Sequence, residues 1–237
     1  MIDLNGKQIV LVGGSAIFAE ELTAYFAAYG AHVHLLDVQT ADPQTIRAAV
    51  AGLVPFDALI VAPEAVRPSP FLETSDSAWD EALGLNYERA VWLMQAAARS
   101  MIEHRRAGRI VLLSSVAAEL PLAELSVLGT TLAALRATAQ MAAVDLGPHG
   151  ITVNLIELGW TELDAAALSS DPVDYAHLVA GTPTGRLIEA DEIAGACAFL
   201  LSSAARSITG ARLTLDGGYS LTRADGRTPL PPAISQL

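Results

Sequence analysis

A single α/β domain, built as a doubly wound parallel sheet, is the fold this sequence predicts. Short apolar runs alternate with longer helical patterns along nearly the whole chain. The 237 residues are 52% hydrophobic and 17% charged, which supplies a core on both faces of a sheet. No linker-like stretch interrupts the interior, so one domain is favoured over two.

The elements follow in order. QIVLV at 8–12 reads as a strand, then a helix runs to Tyr29 and closes at Gly30, and the next strand spans 31–36. Asp42 and Pro43 supply an N-cap and a first-turn proline for a helix to about Leu53, and ALIVA at 58–62 is the following strand. A helical region from Ser77 to Arg106 stops before Gly108, ahead of the strand RIVLLS at 109–114. The Ala-rich helix 125–147 ends at Gly147 and Pro148, the strand ITVNLI covers 151–156, and a helix at 190–203 with a strand at 211–215 completes the domain.

Repeated strand–helix units of this kind predict a Rossmann-like sheet with ligands at the carboxyl ends of its strands. Only residues 38–56 separate Asp37 from Asp57, room for one helix but hardly for a helix, a strand and another helix. Six strands are therefore expected, with 31–36 at the edge. His32 and His34 share a strand face, but a metal site needs a third ligand, so they read as solvent-exposed and no metal is expected.

A net charge of −12 argues against nucleic acid and against anionic membrane surfaces, since both are bound through Lys and Arg. The apolar segment 127–146 contains Arg136, Gln140 and Asp145, so no membrane span is expected. The N-terminus has an acid where a secretory signal carries basic residues. The single cysteine, Cys197, lies in a helical run and reads as a buried thiol, in keeping with a reducing cytoplasm.

From residue 7 to about 221 the chain resembles the short-chain dehydrogenase/reductase family. The resemblance is carried by GRLIEADEIAGACAFLLSSAARSITGARLTLDGGY at the C-terminal end, by GRIVLLSSVA at 108–117 and by GPHGITVN at 147–154. It implies a domain over 1–221 and a tail over 222–237. That tail contains Pro229, Pro231 and Pro232, and is expected to be extended or disordered, or to lie across a neighbouring subunit through Ile234 and Leu237.

The resemblance also implies a dinucleotide and an active site, and there the chain departs from it. The family's TGxxxGxG turn reads Val12 to Ala19 here, keeping Gly13 but placing Ile17 and Ala19 at the later glycines. Gly13, Gly14 and Ser15 remain as possible anion-binding positions, or the segment is a plain strand-to-helix turn. Asp37 is spaced either to hold an adenosine ribose, favouring NAD, or to serve as a turn aspartate. The NNAG motif has become Val61-Ala62-Pro63-Glu64.

Of the catalytic residues the resemblance implies, Ser115 and Asn86 match the family's serine and asparagine. YxxxK is replaced by LGTTL, with Leu128 at the tyrosine position and Leu132 at the lysine position. A leucine transfers no proton, which removes a term typically worth about 10²–10⁴-fold. Lys7 is the only lysine, and it starts the first strand, at the opposite end of the sheet.

Three functions are therefore in view. The first is a non-catalytic or regulatory subunit that binds no NAD, or binds it weakly, and pairs with itself or with an intact family member. The second is an enzyme of altered chemistry using Ser115 with a recruited Tyr87, Glu64 or Glu157, the two glutamates either forming a carboxylate pair or standing as solvated loop residues. The third is an ordinary NAD-linked oxidoreductase.

Overall fold

The computed structural model describes residues 2–39, 42–164 and 172–223. Six strands form one all-parallel sheet: β1 (Gln8–Val12), β2 (His32–Leu35), β3 (Ala58–Val61), β4 (Arg109–Ser115), β5 (Thr152–Leu158) and β6 (Arg212–Leu215), in the order β2-β1-β3-β4-β5-β6. β2 lies on one side of β1 and every later strand on the other. The order reverses between β1 and β3, which makes that boundary the switch point of the sheet.

Strand alternation sends the central side chains to two cores. Val10, Val12, Leu59, Leu112 and Leu155 point toward α2 (Pro43–Ala51), α4 (Arg89–Glu103) and α5 (Ser126–Leu146). Ile9, Leu11, Ile60, Val111 and Leu113 point toward α1 (Ala16–Ala28) and the helix Ala190–Leu201, which is α7 here. Both faces of β1, β3 and β4 are dry, which is why these strands read as unbroken apolar runs.

β2 is the edge strand, and His34 Nε2 meets Gln8 Oε1 at 2.7 Å on the neighbouring strand while His32 is exposed. Asp42 caps α2, its carboxylate accepting from Thr45 N at 2.7 Å, and α2 leads into β3 with no strand between them among the described residues. Cys197 is fully buried in α7, and burial pushes its thiol up to about 12.

The helical region expected over 77–106 is divided. α3 (Asp76–Ala82) is followed by a π-helical turn, Leu83–Glu88, before α4 begins. That turn carries the buried Asn86, and inserted π turns often mark functional positions. Among the described residues, further helices lie outside the expected elements. α6 (Pro172–Ala180) precedes α7, and α8 (Tyr219–Arg223) crosses the expected domain end at 221. Asp216 starts α8 by accepting from Gly218 N and Ser220 N, each at 2.8 Å. Residues 224–237 of the expected tail lie outside the described residues.

With its 3₁₀ extension, Ser126–His149, α5 is long and apolar enough to cross a membrane by length and composition. In the fold its inner face, through Leu132, Leu135, Ala139 and Ala143, packs with Val153 and Leu155 of β5. Its outer face leaves Met141 and Val144 exposed.

Candidate active site

A cleft of about 280 Å³ opens at the carboxyl ends of β1, β3, β4 and β5. It runs from Gly14 and Ser15 past Ser115 to Trp160 and Asp164. Ser115 ends β4 and is half-buried, and its Oγ accepts from Ala117 N at 3.2 Å, which caps a 3₁₀ turn over Val116–Ala118. α5 packs closely on that turn because residue 129 is glycine: a Cβ there would come within 2.7 Å of Ala117 O.

This approach places Leu128 and Leu132 in the cleft wall with Ser115. Leu132 is fully buried in the core as well, while Leu128 is half-buried. The polar lining is Ser15, Glu64, Ser114, Ser115, Thr161, Asp164 and the indole of Trp160, and no lysine, arginine, histidine or tyrosine is among the described lining residues. Lys7 lines a separate cavity of about 220 Å³ at the opposite end of the sheet, 3.9 Å from Asp57.

Asn86 clamps the loop after β3. Its amide oxygen accepts from Glu64 N at 2.7 Å, and its amide nitrogen donates to Glu64 O at 3.2 Å. Arg89, one turn further on, is the charged residue that sequence reasoning missed. Its side chain is fully buried, with Nη1 2.9 Å from Glu64 Oε1 and donating to Val38 O at 3.1 Å. Nη2 lies 3.2 Å from where a Cβ on Gly13 would stand, so one guanidinium touches the chain just past β1, β2 and β3. The Glu64 contact is close but poorly aligned, since Glu64 Oε1 receives no directed hydrogen bond, and Arg89 Nε and Nη2 have no acceptor. The visible signal was an arginine three positions after Asn86 in a helix whose neighbours are apolar.

The glycine turn is built for the helix that follows it. Ser15 caps α1, its Oγ accepting from Phe18 N at 3.2 Å, and Ile17 stands 59% exposed on the first turn. Gly13 and Gly14 both adopt positive φ, at +80° and +78°. Asp37 is exposed and accepts from Gln39 Nε2 at 3.1 Å.

The structure corrects the expectation for Glu64 and Glu157, which form no carboxylate pair and are not solvated loop residues. Glu64 is tied to Arg89. β5 continues to Leu158, and this carries Glu157 into a buried position 3.8 Å from Arg136 and 3.6 Å from Arg212, away from the cleft lining. Burial raises the Glu157 pKa, against the pull of Arg212 and Arg136, and the nearby Glu119 raises it further. Glu119 itself contacts Arg212, whose hydrogen bond holds its carboxyl below the ordinary value. Tyr87 is also directed elsewhere, with its hydroxyl 3.2 Å from Thr138 Oγ1 on α5.

Asp164 was not singled out, although Thr161 and Asp164 have the spacing of a helix-capping box. Thr161 N and Oγ1 donate to Asp164 Oδ2 at 3.0 and 2.8 Å, and Asp164 N donates back to Thr161 Oγ1 at 3.0 Å. Desolvation raises its pKa against those bonds, although the residue as a whole is exposed.

Comparison with known proteins places this geometry. The family model described as enoyl-(acyl carrier protein) reductase matches residues 3–220. The chain belongs to the short-chain dehydrogenase/reductase family. Among its dehydrogenase/reductase relatives, D-erythrulose reductase of Gallus gallus is 31% identical over 185 residues, covering 78% of this chain and 75% of that protein. L-xylulose reductase of Bos taurus is 32% identical over 192 residues, covering 80% and 78%. A crystal structure of gluconate 5-dehydrogenase from Burkholderia cenocepacia, in complex with NADP and tartrate, superposes with a TM-score of 0.85 at 24% identity, covering 93% of this chain and 97% of that one.

The family's dinucleotide can be tested against the residues present, and they do not suit it. Dinucleotides bind at the switch point with their pyrophosphate on a glycine-rich turn and a helix N-terminus. Here Ile17 stands on that first turn, Ser15 is engaged as a cap, and Glu64 brings a carboxylate to the same cleft. Arg89, which reaches the turn at Gly13, is fully buried against Glu64 and Val38 O.

Proposed function

We propose that this short-chain dehydrogenase/reductase serves as a non-catalytic, regulatory or stabilising subunit, in assemblies with itself or with an intact family member. The observation that supports it most is the pair of leucines, Leu128 and Leu132, in the cleft wall beside Ser115. Proton transfer to a substrate oxygen needs a titratable group within hydrogen-bond reach. Tyr87, Glu157 and Lys7 all lie away from this lining. No histidine, lysine or tyrosine is among the described lining residues to activate Ser115, so its hydroxyl orients rather than attacks. The exposed Met141 and Val144 on α5 suit burial against another subunit, and a fully buried free thiol suits a cytoplasmic protein.

One observation favours an enzyme of altered chemistry instead. Asp164 lines the cleft with a carboxyl whose pKa is raised, the condition a general acid needs. A steady-state assay with NAD(P)(H) across sugars, alcohols and ketones, run on the protein and on Asp164→Asn, separates the readings. The subunit reading predicts no turnover by either. Turnover abolished by Asp164→Asn establishes the altered enzyme.

A further inference from the structure

We propose that the cleft beside Leu128 and Leu132 is a binding site for an uncharged, mainly apolar small molecule carrying a hydrogen-bond acceptor, held without a dinucleotide. The inference rests on the reading above only in that no hydride transfer is required of the ligand.

Shape and lining argue for an apolar occupant. Replacing a tyrosine and a lysine by Leu128 and Leu132 gives Ser115 a hydrocarbon wall, continued by Leu122, Leu125 and Val116. The volume, about 280 Å³, equals about nine waters at about 30 Å³ each and lies just below the usual range of ligand pockets. Water held against such walls has few polar partners, and an apolar molecule displaces it favourably.

Charge excludes other occupants. Two carboxylates, Glu64 and Asp164, line the cleft, and no cation is among its described lining residues. A carboxylate or phosphate ligand finds no cation among those residues to pair with. A polyol, with several hydroxyls to satisfy, meets mostly leucine.

Donors for an acceptor remain, the Ser114 hydroxyl among them, buried without a partner. The Ser115 oxygen already accepts from Ala117 N, which leaves its hydroxyl proton to donate. Trp160 lines the same cleft, and its indole N–H is buried without a partner. An unpaired buried donor is costly, and a carbonyl or ether oxygen reaching it removes that cost.

The test titrates the full chain with 2-decanone, decanoate at pH 8 and xylitol, following tryptophan fluorescence and calorimetric heat. 2-Decanone is expected to saturate with micromolar affinity, and the other two to bind at least about tenfold more weakly. Leu128→Trp, which fills the cleft from a half-buried position, should abolish ketone binding with little change in melting temperature. Ser115→Ala and Trp160→Phe should each weaken it by about two- to tenfold. Decanoate or xylitol binding as tightly as the ketone, ketone binding unaffected by Leu128→Trp, or no ketone binding up to its solubility would overturn the assignment. NADPH oxidation in the presence of bound ketone would remove the non-catalytic reading and leave the ligand assignment standing. Absence of both binding and turnover would remove the ligand assignment alone.

Discussion

The C-terminal framework and the switch-point crevice treat their polar residues in opposite ways. In the framework, Asn154, Glu189 and Arg186 complete the fold's own hydrogen bonds. Asn154 donates to Ile208 O at 2.8 Å and accepts from Ala211 N at 3.1 Å, tying β5 to the approach of β6. Glu189 and Glu192 form a reciprocal capping box on α7, and Arg186 grips Glu192 through both of its terminal nitrogens, at 2.6 and 2.8 Å. In the crevice, Arg89 leaves two of its nitrogens unpaired, and Glu64 Oε1 receives no directed bond. In the proposed reading hydride transfer is not required of this crevice, which leaves its lining free to be leucine or an ion pair.

The largest effect that sharpens this contrast is expected at Arg89. Arg89→Ala leaves Glu64 without its counter-charge and opens a cavity below the switch point, at a cost of about 3–5 kcal/mol in urea denaturation. Arg89→Met combined with Glu64→Gln should recover most of that loss, since a buried ion pair contributes little net stability over a well-packed neutral replacement. If Arg89→Ala is as stable as the parent, the guanidinium does not anchor the crevice.

A smaller loss is expected in the framework. Asn154→Ala strands Ile208 O and Ala211 N and should cost about 1–3 kcal/mol by the same measurement. A neutral result would erase the distinction between the two regions.

The smallest effect is a pH dependence at Glu157. Its folded pKa is raised by burial, so its contribution is fully present below the unfolded pKa and is lost as pH rises through the folded value. Glu157→Gln should therefore raise the melting temperature by up to a few degrees at pH 7 and leave it unchanged below about pH 4. Glu119, whose shift has the opposite sign, shares Arg212 with Glu157, so the Glu119→Gln variant is measured beside it. A variant less stable at pH 7 would show that Arg136 and Arg212 more than offset the desolvation.

Much of this was legible in the sequence because the signals are local. Apolar period, the Asp42 cap, Gly30 and the 38–56 spacing place six strands with 31–36 at the sheet edge, and counting from Ser115 to Gly150 puts leucines where the proton-transfer residues would be. What was not legible depends on contacts between distant segments. Arg89 meets Val38, Glu64 and the turn at Gly13 only once three strand ends are side by side. Glu157 was misread because two further residues of β5 turn a loop position into a strand position facing Arg136 and Arg212. The π turn that buries Asn86 leaves no mark in an apolar period of 3.6.

The central claim is that the crevice between β1 and β3 no longer accepts a dinucleotide. Calorimetric titration of the full chain with NADH and NADPH tests it most directly. The account predicts no saturable heat up to about 1 mM of either. A low-micromolar Kd that is lost on Asp37→Ala would contradict it, showing that Ile17 and Glu64 leave room for the pyrophosphate and that the ribose carboxylate still works.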